Sequence, residues 1–290
     1  MIVVRLISGL GNQLFQYMFG RQMAIVNNMP LKLDTSFYET QNLRDYKLGN
    51  YNIAAQVAGK NDIEKVLRID DPISKVQRYF SGYNKYYYKE KKAWQYDPLV
   101  IDAAKSGIYL DGYWQNYKYY TNINNGLLNE ITLTNQTELS EYNLYSTIEQ
   151  DKQSVSIHIR RGDYITDNHA NKMMGVLSLD YYYQAVAHIR KHLSDPRFYV
   201  FSDDLNWAAD NLKLDGPVEL VAIANGEKDY VELDLMSKCR HNIIANSTFS
   251  WWAAFMNRNP AKIVIGPKKW VPTPEINTEI DLLFPEWIKI

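Results

Sequence analysis

The feature that most constrains this chain is a rhythm of short apolar runs, each ending in polar residues and followed by a helical pattern. In the second half, VSIHIR (155–160), RFYVFSDD (197–204), VELVAI (218–223), HNIIAN (241–246) and AKIVIGP (261–267) read as strands. Between them, 179–193, 228–239 and 247–257 carry helical periodicity, the last opening on a hydroxyl cap. Apolar runs alternating with helices predict a parallel sheet covered on both faces. The first half opens alike: IVVRLIS (2–8) as strand, glycines at SGLG, a helix, then PLKLDTS (30–36) as strand. GIYLDGYW (107–114) reads as a further strand, while 40–100 reads as irregular and helical. At 290 residues, two domains are the default, and TNQTELSEYN (134–143) is the best linker. The expected domains are 1–148 and 149–290.

Composition removes several function classes. The 32 basic and 33 acidic side chains leave a net charge of −1, so no nucleic acid is expected as partner. One cysteine, Cys239, leaves no intrachain disulfide and fits a reducing, cytoplasmic setting. No run approaches the roughly 18–20 apolar residues of a membrane span. A soluble protein is expected, with contact at the inner membrane surface left open. The 23 tyrosines crowd into 78–94 and 109–120. They read either as amphipathic packing or as flat faces suited to sugar rings.

Three polar clusters fall at strand ends, where open parallel sheets bind ligands. HIRRGDY (158–164) sets Arg160 and Arg161 beside Gly162 and Asp163. An arginine there offers a planar fork matched to phosphate, or else the group closes on itself as a salt bridge. NSTFSWW (246–252) puts Ser247, Thr248 and Ser250 at a helix start, as an anion site or as plain capping. SGLGNQLF (8–15) lacks the third glycine of a dinucleotide fingerprint, Leu14 standing there, but offers Asn12 and Gln13. Asp203-Asp204 is a fourth group, read first as a helix cap. No Asp-x-Asp occurs and the five histidines are scattered, so no metal is expected; a fixed cation such as Arg160 would balance a departing diphosphate.

Taken in order, GLGNQLFQY (9–17), GYWQNYKYY (112–120), HIRRGDY (158–164) and NSTFSWWAAF (246–255) resemble the bacterial α-1,2-fucosyltransferases, glycosyltransferase family 11. The resemblance implies an α/β fold of GT-B type, two Rossmann-like domains facing a cleft. It implies an acceptor-side amino-terminal domain and a carboxyl-terminal domain for GDP-fucose. The implied reaction is inverting, metal-independent transfer of fucose to the 2-hydroxyl of a terminal galactose on an oligosaccharide or glycolipid, with no cofactor. Carried over, Arg160 grips the β-phosphate, His158 lies near guanine and ribose, and Asp234 pairs with the guanine edge. Asn246, Ser247, Thr248 and Phe249 form the loop over the phosphates. Arg161 joins the donor set, and Asp163 is the nominee for general base or else an orienting carboxylate. On the acceptor side stand Gly11, Asn12, Gln13, Tyr113, Trp114 and Gln115, with only one of Tyr113 and Trp114 expected to face a ligand. Another GDP-sugar transferase, a nicotinamide oxidoreductase and a silent carbohydrate-binding protein are the alternatives.

Overall fold

A computed structural model describes residues 1–41, 43–81, 84–135, 143–223 and 228–290. Most of the linker candidate, 136–142, lies outside the described residues. The chain divides into two compact units, Met1–Thr132 and Leu133–Ile290. The division precedes the expected 148/149 boundary because helix Asn143–Gln150 belongs to the second unit, where Tyr145 lies against the ammonium of Lys238, 5.6 Å away.

The first unit is built on five parallel strands: β1 (Ile2–Arg5), β2 (Leu31–Asp34), β3 (Gln56–Val57), β4 (Tyr87–Lys89) and β5 (Ile108–Asp111), in the order β3-β2-β1-β5-β4. Helix Leu10–Val26 links β1 to β2 and lies close on the sheet. A side chain at Gly20 would put its Cβ 2.2 Å from Val4 Cγ2, so only glycine permits this approach. Its buried face extends from Leu14 through Phe15, Met18 and Phe19 to Met23.

The second unit holds six parallel strands: β6 (Ser154–Ile159), β7 (Arg197–Ser202), β8 (Val218–Val221), β9 (His241–Ile243), β10 (Val264–Gly266) and β11 (Ile288–Lys289). Their order, β11-β10-β9-β6-β7-β8, is that of a doubly wound Rossmann sheet. Every residue of β6 is buried, including Ser154, Ser156 and His158. One face of β6 packs apolar: Val155, Ile157 and Ile159 join Tyr182, Ile189 and Phe198 in the core. The other face meets a neutral polar ladder. Asn242 Nδ2 donates to Ser156 Oγ (2.8 Å) and to the Met236 carbonyl, and Asn257 Nδ2 donates to Asn242 Oδ1 (2.7 Å) and to the Cys239 carbonyl. That ladder satisfies groups that would otherwise be costly to bury.

The tyrosine-rich segments resolve toward packing. Tyr17 donates to Glu130, Tyr88 to Asp97 (2.6 Å), Tyr87 to Asp111 and Tyr109 to Asp34 (both 2.5 Å). Each ring fills core while its hydroxyl reaches a carboxylate that would otherwise be poorly solvated.

Candidate active site

Each sheet has one point where strand order reverses, and crevices form there at the carboxyl ends of the strands. In the second unit the reversal lies between β6 and β9. HIRRGDY leaves β6 and NSTFS leaves β9, so the two strongest clusters of the sequence meet at one switch point.

Arg160 occupies its centre. Nη2 lies 2.8 Å from Asp163 Oδ1 and Nη1 lies 3.1 Å from Asp203 Oδ2, with the Tyr164 ring beneath the guanidinium at 5.6 Å. Burial alone would lower its pKa, but Asp203 and Asp163 outweigh that and raise it, so the cation is permanent. Asp203 binds the loop twice, because its Oδ1 also accepts the Arg161 N–H (2.8 Å). The register of β6 on β7, Ile159 against Ser202, puts Asp203 there. A Cβ on Gly162 would come within 2.7 Å of Asp203 Oδ2, so glycine keeps the carboxylate's place open. Arg161 turns elsewhere: its Nε pairs with Asp204 (3.3 Å) and its guanidinium lies 3.7 Å above Trp207. Asp204 does cap helix Leu205–Asn211, accepting from Trp207 N–H (3.1 Å). Gly162 is the first residue of a short helix, Gly162–Thr166.

His158 is buried one residue inside the strand end, its ring 5.6 Å from that of Phe249. Burial, with Arg160 adding like charge, drives its pKa to about 3, so it is neutral and its Nδ1 has no protein partner among the described residues. Asn246 donates to the carbonyls of Met174 (2.7 Å), Gly175 and Trp270, tying three loops together, while its Oδ1 stays buried without a described partner. Ser247 caps helix Thr248–Met256 by accepting from Phe249 N–H (3.3 Å), and Ser250 Oγ accepts from Ala245 N–H (3.2 Å). Capping is thus realised, and Thr248 is the hydroxyl of this turn left half-exposed. Asp234 lies on helix Asp229–Lys238, with Oδ2 buried and unpartnered among the described residues. Burial raises its pKa; Lys238 opposes this and Glu149 adds to it, which places it on the side of helix Asn143–Gln150.

One acidic group escaped the sequence reading, and another was given only part of its role. Glu232 is pushed up to about 7 by burial, with Asp229 and Asp203 adding, so it faces the arginine loop from the neighbouring helix. Asp203 was legible only as a cap candidate, since its second role depends on strand register.

The first unit's switch point lies between β1 and β5 and gathers SGLGNQ with GYWQN. Gln115 Nε2 donates to Asn12 Oδ1 (2.7 Å), Asn12 Nδ2 donates to Ser8 Oγ (2.8 Å), and Trp94 Nε1 donates to Gln115 Oε1 (3.0 Å). Ser8, Trp94 and Trp114 all adopt left-handed backbone, with φ of 70°, 65° and 58°. Such strained non-glycine residues gather where surrounding structure fixes a functional loop. One expectation is corrected here, and of Tyr113 and Trp114 it is Trp114 that turns inward. Gln13 is fully buried and its amide is spent on the Asp45 and Ser8 carbonyls and the Lys47 N–H, so it shapes the loop and is closed to a ligand. Trp114 is 0% exposed and stacks on Phe19 at 4.4 Å, because the left-handed residue turns its ring inward. Gly11 is buried within helix Leu10–Val26, and Asn12 and Tyr113 remain half-exposed. Glu90 accepts the Tyr113 (2.7 Å) and Trp114 (3.1 Å) N–H groups, and burial pushes it up to about 7.

Among the described residues, no group of three His, Cys, Asp or Glu side chains is placed to hold a metal ion. No helix among them is long and apolar enough to cross a membrane.

A doubly wound sheet takes its ligand at the switch point, and here that point holds a fixed arginine. Residues 58–290 match the model of Glycosyl transferase family 11, and the chain belongs to that family and is a glycosyltransferase. It is 33% identical to the O-antigen biosynthesis glycosyltransferase WbnK of Escherichia coli, covering 97% of this chain and 98% of that one. It is 30% identical to an alpha-1,2-colitosyltransferase of Escherichia coli over 100% and 98% of the two chains. Galactoside alpha-(1,2)-fucosyltransferase 1 of Mus musculus is 27% identical over 51% of this chain and 41% of that one. The GDP complex of a mutant Arabidopsis thaliana FUT1 shares the fold, with a TM-score of 0.50 at 11% identity over 95% of this chain and 72% of that one. The α/β, GT-B-type class expected from the resemblance is the fold observed.

Proposed function

We propose that this enzyme transfers L-fucose from GDP-β-L-fucose to the 2-hydroxyl of a terminal galactose, with inversion and without a metal ion. The observation that carries the reading is Arg160, a permanent cation held by Asp163 and Asp203 at the switch point of the Rossmann sheet, the same point at which the chain leaves β9 for helix Thr248–Met256. The names of the relatives supply the linkage and the galactoside acceptor. The second unit takes the donor and the first unit the acceptor.

In the proposed reaction the bond from fucose C1 to the β-phosphate oxygen breaks and its electron pair leaves with GDP. The galactose O2 forms the new bond to C1 from the opposite face, and its proton is lost to a base or to water. Arg160, with the free N–H groups of the helix start, stabilises the charge growing on the phosphate. Buried neutral His158 and Phe249 pack beside the nucleoside. The free Oδ2 of Asp234 is the proposed acceptor for guanine N1–H and N2. Asp163 is the proposed base, and its pairing with Arg160 gives it a second role in aiming the cation. Asp163→Asn separates the two: loss of a base lowers kcat and flattens the pH profile, whereas loss of an aiming group raises the donor KM.

A second reading concerns the sugar. The 30% identical relative named as a colitosyltransferase makes colitose, which is fucose lacking its 3-hydroxyl, the leading competitor. The deciding experiment is GDP release in EDTA from GDP-fucose, GDP-colitose and GDP-mannose over a panel of β-galactosides, with Arg160→Ala beside the wild type. Fastest acceptor-dependent turnover with GDP-fucose, lost in the variant, supports the reading. Preference for GDP-colitose selects the competitor, and turnover unaffected by Arg160→Ala removes the phosphate assignment.

A further inference from the structure

Helix Pro72–Ser81 is turned the wrong way round for a soluble domain. Its small polar Ser74 is only 5% exposed, with its N–H bound to Asp71 Oδ2 (2.8 Å), while Ile73 is 69%, Val76 56% and Tyr79 86% exposed. At about 100° per residue, those three span roughly 120° of arc, on the side opposite Ser74. Ile69, 38% exposed, extends the stripe at the foot of the helix. A contiguous apolar stripe of this kind marks a surface that something else covers.

The charge around it indicates what. Lys75 rises from the helix itself and pairs with exposed Asp70 at 3.6 Å. Arg68 and Lys85 lie 4.1 and 5.0 Å from the Tyr86 ring, and Asn84 Nδ2 donates to the Leu67 carbonyl (3.0 Å), which brings residues 84–86 to the foot of the helix. Asp71, at the helix start, feels both cations. Between residues 60 and 92 Lys and Arg outnumber Asp and Glu, in a chain of net charge −1. The carboxylates facing this patch are Asp70 and Asp71.

We propose that helix Pro72–Ser81 lies on an anionic lipid surface, its stripe of Ile73, Val76 and Tyr79 entering the interface and the cations around it meeting the headgroups. An amphipathic helix with an apolar face and basic surroundings binds such surfaces through the sum of both terms. A second copy of this chain fits less well, because a two-fold contact would set basic patches against each other. The inference is independent of which sugar is transferred.

The test is flotation of the full chain with vesicles of phosphatidylcholine alone or mixed with phosphatidylglycerol, at low and high salt. Wild type is expected to float with the mixed vesicles, at least about tenfold more than with neutral ones, and to be released by salt. The double variant Ile73→Ser, Val76→Ser is expected to lose at least about tenfold in partition, with its circular dichroism and its GDP release on a soluble acceptor retained. Lys75→Glu with Lys85→Glu is expected to abolish the preference for phosphatidylglycerol. Wild type that ignores both vesicles, or partitions unchanged by the apolar variant, overturns the proposal. So does a concentration-dependent dimer that the variant dissociates, which would assign the stripe to a second copy.

Discussion

The two switch points use one architectural device with different side chains. The second unit's is charged: Arg160 is gripped by Asp163 and Asp203, and Glu232 stands behind. The first unit's pairs its cation off, Arg5 with Asp111 at 3.2 Å, and its loops carry a neutral amide and hydroxyl chain of Asn12, Gln115, Ser8 and Trp94. Fixed charge suits a ligand that gains negative charge as it reacts. Neutral donors and acceptors in a rigid frame suit one rich in hydroxyls and without charge. The fold supplies a switch point in each unit, and the side chains there differ.

That comparison breaks first at Arg160. Arg160→Ala is expected to lower transfer by about 10²–10³-fold or more while circular dichroism stays native; a variant keeping most activity would end the contrast. Next is Asp203→Ala, expected to cost roughly 10–100-fold in kcat/KM through loss of aim. Gly162→Ala should follow it in direction, since its Cβ would meet Asp203 at 2.7 Å. If Asp203→Asn is as damaged as alanine, charge matters; if it recovers, the hydrogen bonds do. Third, Asn12→Ala is expected to raise the acceptor KM about tenfold with the donor KM unchanged, because Asn12 is the half-exposed amide of that chain and a polar contact to a sugar is worth about 1–2 kcal/mol. Equal shifts in both would dissolve the division. Arg161→Ala should fall below these in activity, no more than about tenfold, because its guanidinium belongs to Asp204 and Trp207; the change should appear instead as about 1 kcal/mol of lost stability.

The smallest effect concerns pH. Glu90 is pushed up to about 7 in the folded chain from an ordinary 4.5, so between those values the native state holds a proton the unfolded state has released. Its contribution to stability therefore falls as pH rises through that window. Glu90→Gln is expected to remove that part of the decline, visible as a Tm difference between variant and wild type that changes from pH 4.5 to 7. A difference independent of pH would mean that Glu90 stays ionised and that its two N–H donors outweigh burial.

The other eight strands were legible because a parallel strand covered on both faces has to be nearly continuous apolar sequence. Strands β3, β4 and β11 (QV, YYK and IK) lie at sheet edges and carry no such run, whereas β9 and β10, no longer than β4, lie inside their sheet. Within the site, Arg160 and the turn after β9 were readable as chemistry at strand ends. Asp203 was not, since only the register of β6 on β7 turns a helix-cap candidate into the arginine's second partner. Gln13 misled for a related reason: a polar residue beside a loop looks available, and only the packed structure shows its amide engaged. Spacing left one of Tyr113 and Trp114 to face outward, and it is Trp114, with a φ of 58°, that turns in.

The asparagine ladder behind β6 bears on how this family can drift. Ser156, Asn242 and Asn257 satisfy one another and the carbonyls of Met236 and Cys239, so a change at one strands a buried partner at another. Single substitutions there are penalised whatever the sugar transferred, and only concerted replacement can pass. The ladder joins the strand that leads to Arg160 to the helices packed beside it. Selection on folding alone therefore holds β6 in place, leaving the exposed loops free to vary.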